Sequence, residues 1–260
     1  MTVLLTGAAG RIGTALRERL PSFGWEVRGF DREAVPGGVA GDIGSAGDLD
    51  GALADGDVTA IVHLAGVPTE APWPQLRAAN VDGLYEVFEA ARRHRVPRLV
   101  FASSNHAAGF TPNTPGPAAD TAPRPDTLYG VTKAFGEALG RYYHDRYAMR
   151  VACLRIGTFA PAPHDARALA TWLSPDDGAR LVDACLRSPD LGFAIVWGVS
   201  ANARNTWDHA AGRALGYEPR DDAERFAARL TDVEPRPTDA LVGGEFTSAG
   251  YGIDEIGSDR

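Results

Sequence analysis

The stretch Val3-Leu4-Leu5-Thr6-Gly7-Ala8-Ala9-Gly10-Arg11-Ile12-Gly13 constrains the fold more than any other. Its apolar start reads as a strand, its glycines as a tight turn, and the pattern through Leu16 and Leu20 as a helix. Strand, glycine turn and helix in that order open a dinucleotide-binding sheet. Gly7 permits the turn, Gly10 lets backbone approach a pyrophosphate, and Gly13 lets helix and strand pack closely. The helix start at Arg11 and Ile12 then offers free N–H groups to phosphates.

The next segments of the chain agree with a nucleotide-binding sheet. Residues 26–30 form a second strand, and Asp31 closes it. An acidic residue there hydrogen-bonds the adenosine ribose and repels a 2′-phosphate, which predicts NAD over NADP. Arg11 and Arg32 argue the other way, since a guanidinium can hold that phosphate. Asp42-Ile43 sits where a carboxylate and an apolar contact can face the adenine, or is a plain loop. Residues 60–66 form a third buried strand ending in Leu64-Ala65-Gly66, small enough to pass close beneath a cofactor. His63 inside that strand reads as a core histidine. Residues 73–94 carry apolar positions at helical spacing, with Asn80 expected to hydrogen-bond across to the next loop. A fourth strand, 98–102, runs into Ser103-Ser104-Asn105-His106, placing a polar cluster at the ligand edge of the sheet. Residues 111–125 read as a surface loop, 151–156 as a further strand, 169–173 and 176–186 as helices, and 193–196 as a strand.

The predicted fold is α/β: a doubly wound, Rossmann-type parallel sheet with a small C-terminal substrate-binding region. The nucleotide-binding part is expected over 1–157. The substrate part is expected over 158–260, interleaved with it as one structural unit. With 260 residues there is enough chain for a substantial core. A net charge of −8 argues against a nucleic-acid footprint. Two cysteines in apolar surroundings read as reduced thiols, not a disulfide framework. No spanning segment or leader stands out, so a soluble cytoplasmic protein is expected, without membrane or metal. It is also expected to form a homo-oligomer.

The chemistry centres on Leu128-Tyr129-Gly130-Val131-Thr132-Lys133. Tyr129 and Lys133 are four residues apart on a helix expected to run to about Arg146, so they share one face. A phenol titrates near pH 10, and a nearby ammonium lowers that value. Such a pair can take a proton from an alcohol near neutral pH. Alone, it more often means a half-buried aromatic beside a solvated charge. Likewise Arg167, in the loop after the last core strand, is a carboxylate fork or an ordinary surface arginine.

Together, Gly7, Gly10, Gly13, Asp31, Leu64-Ala65-Gly66, Ser103-Ser104, Tyr129 and Lys133 resemble the extended branch of the short-chain dehydrogenase/reductase superfamily. Four further stretches resemble the uronate dehydrogenases: Phe101-Ala102-Ser103-Ser104-Asn105-His106, Arg155-Ile156-Gly157-Thr158, Ala170-Thr171-Trp172-Leu173-Ser174-Pro175-Asp176-Asp177 and Val196-Trp197-Gly198. The resemblance implies NAD-dependent oxidation of glucuronate or galacturonate at C1 to an aldaric acid lactone. It implies Tyr129 as base, Lys133 as its partner and ribose ligand, and Ser104 as donor to the reacting oxygen. Ile156 would touch the cofactor. Pro68, Ser104, Asn105, His106 and Tyr129 would meet the sugar, and Thr158 and Arg167 its carboxylate. Thr158 stands where a serine is expected. The rival enzyme classes are a nucleotide-sugar epimerase or dehydratase and another sugar dehydrogenase. The non-enzyme rival is an NAD(P)-sensing regulator, which need not keep Ser104, Tyr129 and Lys133 together.

Overall fold

The structure is a computed structural model that describes residues 1–231 and 234–251. Among these the strands are β1 (Thr2–Thr6), β2 (Glu26–Asp31), β3 (Val39–Ala40), β4 (Val58–His63), β5 (Arg98–Ser104), β6 (Arg150–Ile156), β7 (Thr158–Phe159), β8 (Trp172–Leu173) and β9 (Phe193–Gly198). The helices are α1 (Arg11–Arg19), α2 (Ala46–Ala52), α3 (Trp73–Leu76), α4 (Leu84–Arg93), α5 (Leu128–Tyr147), α6 (Ala168–Thr171), α7 (Pro175–Arg187) and α8 (Ala210–Ala214). Seven strands form one parallel sheet in the order β3-β2-β1-β4-β5-β6-β9. This is the expected doubly wound α/β fold.

Both faces of the sheet are covered, which is why its strands read as unbroken apolar runs. Alternate residues of one strand enter different cores. Val3, Leu5, Val62, Val100 and Leu154 pack with Leu16, Leu20 and Leu181. Leu4, Ile61, Leu99, Phe101 and Cys153 pack on the other face with Leu84, Val87 and Phe88. The strand order reverses between β1 and β4, so their carboxyl ends diverge and open a crevice there.

The structure differs from the sequence expectations at several points. The strand expected over residues 60–66 is β4, because the two-residue edge strand β3 precedes it, and it ends at His63, so Leu64-Ala65-Gly66 follow it as loop. Too short to show periodicity, β3 pairs only Phe30 with Val39 and Asp31 with Ala40. Trp172 and Leu173 are not helical: they pair with Thr158 and Phe159, and the helix before them stops at Thr171. The periodic segment from Trp73 is one rod with a wide turn at Arg77–Gly83. Asn80 sits in that turn and bonds to the loop before it, not the next one. The segment 111–125 is only partly surface, since Ala119 is buried with Trp197, Trp207 and Val242. His63 is a core residue, bonded to Thr6 Oγ1 at 2.7 Å, and burial pushes its imidazole down to about 3. Cys153 and Cys185 are buried and free. No helix among the described residues is long and apolar enough to cross a membrane. Residues 252–260, the end of the expected C-terminal region, lie outside the described residues.

Candidate active site

A cleft of about 1540 Å³ follows the carboxyl edge of the sheet. At one end it is made of backbone. Gly7 adopts φ 72°, and a Cβ there would lie 2.6 Å from the Ala65 nitrogen. A Cβ on Gly13 would lie 2.1 Å from the Gly7 carbonyl oxygen, so α1 is seated directly on the turn. Among the described residues no side chain caps α1, which leaves its first N–H groups facing the cleft. Arg11, Ile12, Ile43, Leu64, Ala65, Gly66 and Ile156 line the same space.

Asp31 enters this end from β2. One carboxylate oxygen accepts the Ala9 N–H at 3.0 Å and the other the Glu33 N–H at 3.1 Å. These bonds aim the carboxylate and leave each oxygen with acceptor capacity for ribose hydroxyls. Asp42 also lines the cleft, but its carboxylate closes its own turn by accepting the Gly44 N–H at 2.8 Å. An uncapped helix end behind three glycines, with a fixed carboxylate beside it, suits NAD.

The other end is made of side chains from distant segments. Ser104 and Asn105 arrive on the end of β5, Tyr129 and Lys133 on the first turns of α5. Thr127 caps α5 by accepting the Gly130 N–H, which starts the helix and sets the phase of that face. Lys133 Nζ lies 5.3 Å from the Tyr129 ring centroid and donates to the Ala102 carbonyl at 2.8 Å. The sequence predicts a lowered phenol pKa. Within the protein's own groups the balance runs the other way. Burial pushes Tyr129 up to about 12; a hydrogen bond from Ser104 draws it down, and the Asp126 charge adds to the rise. Burial also pushes Lys133 down to about 8.

Three residues that the sequence did not single out hold this end in place. Asp126, its side chain fully buried, accepts from His106 Nδ1 at 2.8 Å. In the sequence it looks like an ordinary helix-start aspartate. Glu137, one turn beyond Lys133, forms a buried pair with Arg155 at 2.8 Å and accepts from Ser103 at 2.6 Å. That pair ties α5 to β5 and β6, and its i+4 spacing from Lys133 was a readable signal.

Of the predicted residues, Gly7, Gly10, Arg11, Ile12, Gly13, Asp31, Asp42, Ile43, Leu64, Ala65, Gly66, Pro68, Ser104, Asn105, His106, Tyr129, Lys133 and Ile156 line the one cleft. Thr158 and Arg167 do not. Thr158 turns to Thr171, 2.8 Å away, while its neighbours Gly157 and Phe159 face the cleft. Arg167 Nη2 donates to the Val242 carbonyl at 2.8 Å, and Asn105 Nδ2 donates to the same oxygen at 3.0 Å. Arg167 therefore sits one shared carbonyl behind the cleft wall. Burial lowers its pKa, opposed by Asp239, Asp165 and Asp126.

The NAD dependent epimerase/dehydratase family model matches residues 3–175. A uronate dehydrogenase of Agrobacterium fabrum is 43% identical over 94% of this chain and 96% of its own. One of Pseudomonas syringae is 40% identical over 95% and 94%. The chain belongs to the uronate dehydrogenases of that family. It is an NAD-dependent oxidoreductase acting on CH–OH groups. A crystal structure of the Agrobacterium tumefaciens uronate dehydrogenase, a tyrosine-to-alanine mutant complexed with NAD, superposes with a TM-score of 0.86 at 39% identity, over 95% of this chain and 96% of that one.

Proposed function

We infer that this protein oxidises C1 of a free uronic acid, glucuronate or galacturonate, to an aldaric acid lactone. The observation that carries this is the meeting of Ser104, Tyr129 and Lys133 at the far end of a nucleotide-shaped cleft. NAD supplies the hydride acceptor. Ser104 holds the C1 oxygen in line, and Tyr129 takes its proton, so positioning carries much of the rate. Lys133 is the cation beside the phenol. With its pKa pushed down to about 8 it is still mostly charged at neutral pH, and it stabilises the Tyr129 phenolate, the form that accepts the C1 hydroxyl proton and becomes the neutral phenol. Asn105 and His106 bind sugar hydroxyls. Asp126 on Nδ1 orients the His106 ring and leaves Nε2 for the sugar.

Arg167 reads the carboxylate in this proposal. Among the described residues its side chain donates one hydrogen bond, to the Val242 carbonyl behind the cleft wall, and the guanidinium keeps donors for an anion there. Thr158 shapes the backbone between Gly157 and Phe159 and acts on the acid only through α6.

Self-association and a cytoplasmic setting belong to the same reading. Leu128, Val131, Phe135, Ala138 and Tyr142 recur at helical spacing along one face of α5, and four of the five are exposed. Light scattering tests whether copies pair. The function itself is tested by NADH absorbance on mixing protein and NAD with glucuronate, galacturonate, glucose or galactose. Signal with the two acids is expected. Signal only with neutral sugars overturns the assignment.

A further inference from the structure

The segment between β4 and α3 crosses the cleft as a strap. Leu64, Ala65 and Gly66 line the nucleotide end, and Pro68 and Thr69 continue the lining toward Tyr129. The strap is pinned at two points. At the first, Asn80 takes both polar groups of Val67, its Oδ1 accepting the N–H at 2.8 Å and its Nδ2 donating to the carbonyl at 3.0 Å. At the second, Glu70 Oε2 accepts the backbone N–H of Tyr129 at 2.8 Å, across 59 positions of sequence.

The backbone of Tyr129 is thereby held from both sides. Its N–H goes to Glu70, and its carbonyl accepts from Thr132 Oγ1 at 2.7 Å. Asn80 donates in turn to that threonine oxygen at 3.1 Å, so one pin meets the backbone of Tyr129 directly and the other reaches it through Thr132. Beneath it, a Cβ on Gly130 would lie 2.3 Å from the His106 carbonyl, so the first turn of α5 also rests on the turn that carries Asn105 and His106. Thr127 already caps α5 through the Gly130 N–H. Glu70 is therefore not needed to start the helix. Its bond joins a long-range loop to the backbone of the one residue whose hydroxyl must reach C1.

We propose that Glu70 is a positioning residue: by accepting the Tyr129 N–H it fixes the strap wall, Pro68 and Thr69, at a set distance from the phenol and so sets the width of the sugar end. The proposal rests on Tyr129 being the base. A carboxylate at the N-terminus of a helix is held by charge as well as by the hydrogen bond, so the pin is stronger than a neutral one. Releasing it lets the wall and the base move apart, and misplacement of about 1 Å can lower turnover about a hundredfold.

The test uses Glu70→Ala, Glu70→Gln and Glu70→Asp, with rates expressed per NADH-binding site so that unfolded protein is not counted. Glu70→Ala is expected to lower kcat/KM for the uronate roughly tenfold or more, since a charge-assisted bond is lost. The NADH Kd is expected to stay within about twofold, because the nucleotide end is built on other contacts. Glu70→Gln keeps an acceptor of the same length and is expected to retain most of the activity. Glu70→Asp keeps the charge, shortens the reach and is expected to fall between Ala and wild type. Wild-type kcat/KM in Glu70→Ala overturns the proposal. So does Glu70→Gln failing as badly as Ala, or a loss of NADH affinity equal to the loss of turnover. If Glu70→Ala does not fold, Gln against Asp still decides: Asp equal to or better than Gln overturns the pin. Failure of the base assignment looks different, as turnover surviving in Tyr129→Phe.

Discussion

The two ends of the cleft are built from different material. The nucleotide end is backbone: the turn at Gly7, the uncapped start of α1, the small residues after β4, and one carboxylate aimed by two N–H groups. Nearly all of it comes from the first 66 residues, in consecutive strand and helix units. The proposed sugar end is side chain, assembled from β5, α5 and the strap, with the loop before α6 and the segment around Val242 bonded behind its wall. A backbone site has few ways to vary, because the groups it uses are common to every residue. A side-chain site is set by which residues the fold happens to bring together, and specificity can change there without changing the fold.

Changes at the two ends should therefore separate in their effects. Tyr129→Phe should produce the largest one, a loss of about 10²–10⁴ in turnover with NADH binding kept. Stopped-flow turnover beside a fluorescence titration of NADH reads both, and more than about a tenth of wild-type rate remaining contradicts the role of Tyr129.

Gly13→Ala attacks the other end. Its Cβ would meet the Gly7 carbonyl, a backbone atom of the phosphate turn that cannot simply rotate away. Overpacking of this kind costs about 1–3 kcal/mol, so NADH affinity or thermal stability should fall. An unchanged NADH Kd and Tm would mean the turn is softer than its geometry implies.

Arg167→Ala sharpens the comparison within the sugar end. Loss of a charge-assisted bond predicts roughly ten- to a hundredfold lower kcat/KM on glucuronate and galacturonate. Activity on the neutral parent sugars should stay poor and nearly unchanged. Equal loss on both kinds of sugar would give Arg167 only its bond to Val242, as a support for the wall. A lysine there should rescue part of the loss, since an ammonium cannot present the planar fork.

Asp31→Ala should weaken NAD binding and relax discrimination against NADP, because the ribose acceptor and the repelling charge disappear together. A wild type that already prefers NADP would hand control of this pocket to Arg11 or Arg32.

The smallest expected effect is on stability. Lys133 has its pKa lowered from 10.5 to about 8 by burial, so the folded state holds its proton less tightly than the unfolded chain. Its charge therefore weighs on the fold below about pH 8, and the penalty fades as pH rises toward 10.5. Lys133→Met should gain about 2 kcal/mol at pH 7, after the lost bond to Ala102 is set against the removed charge. Its margin over wild type should shrink from pH 8 to 10 in denaturant titrations. A constant margin would show that the ammonium is better solvated than its surroundings suggest.

The sequence by itself determined the central strands of the sheet, the glycine turn and the helix that carries Tyr129 and Lys133. These rest on local rules: glycines where a Cβ has no room, an acid at a strand end, apolar runs covered on both faces, and two side chains four residues apart on one helix. What it left open depends on long-range encounters. Nothing near Glu70 in the chain points to Tyr129, and nothing near Asp126 points to His106. The pair at Trp172 and Leu173 has too few residues to show a period. Thr158 follows the same limit: only its pairing in β7 decides that Gly157 and Phe159 face the cleft while its own hydroxyl turns to Thr171. Even the pKa of Tyr129 belongs to the tertiary structure. The sequence supplies the neighbouring ammonium, but the depth of burial, which pushes the phenol up to about 12, exists only once the chain has closed around it.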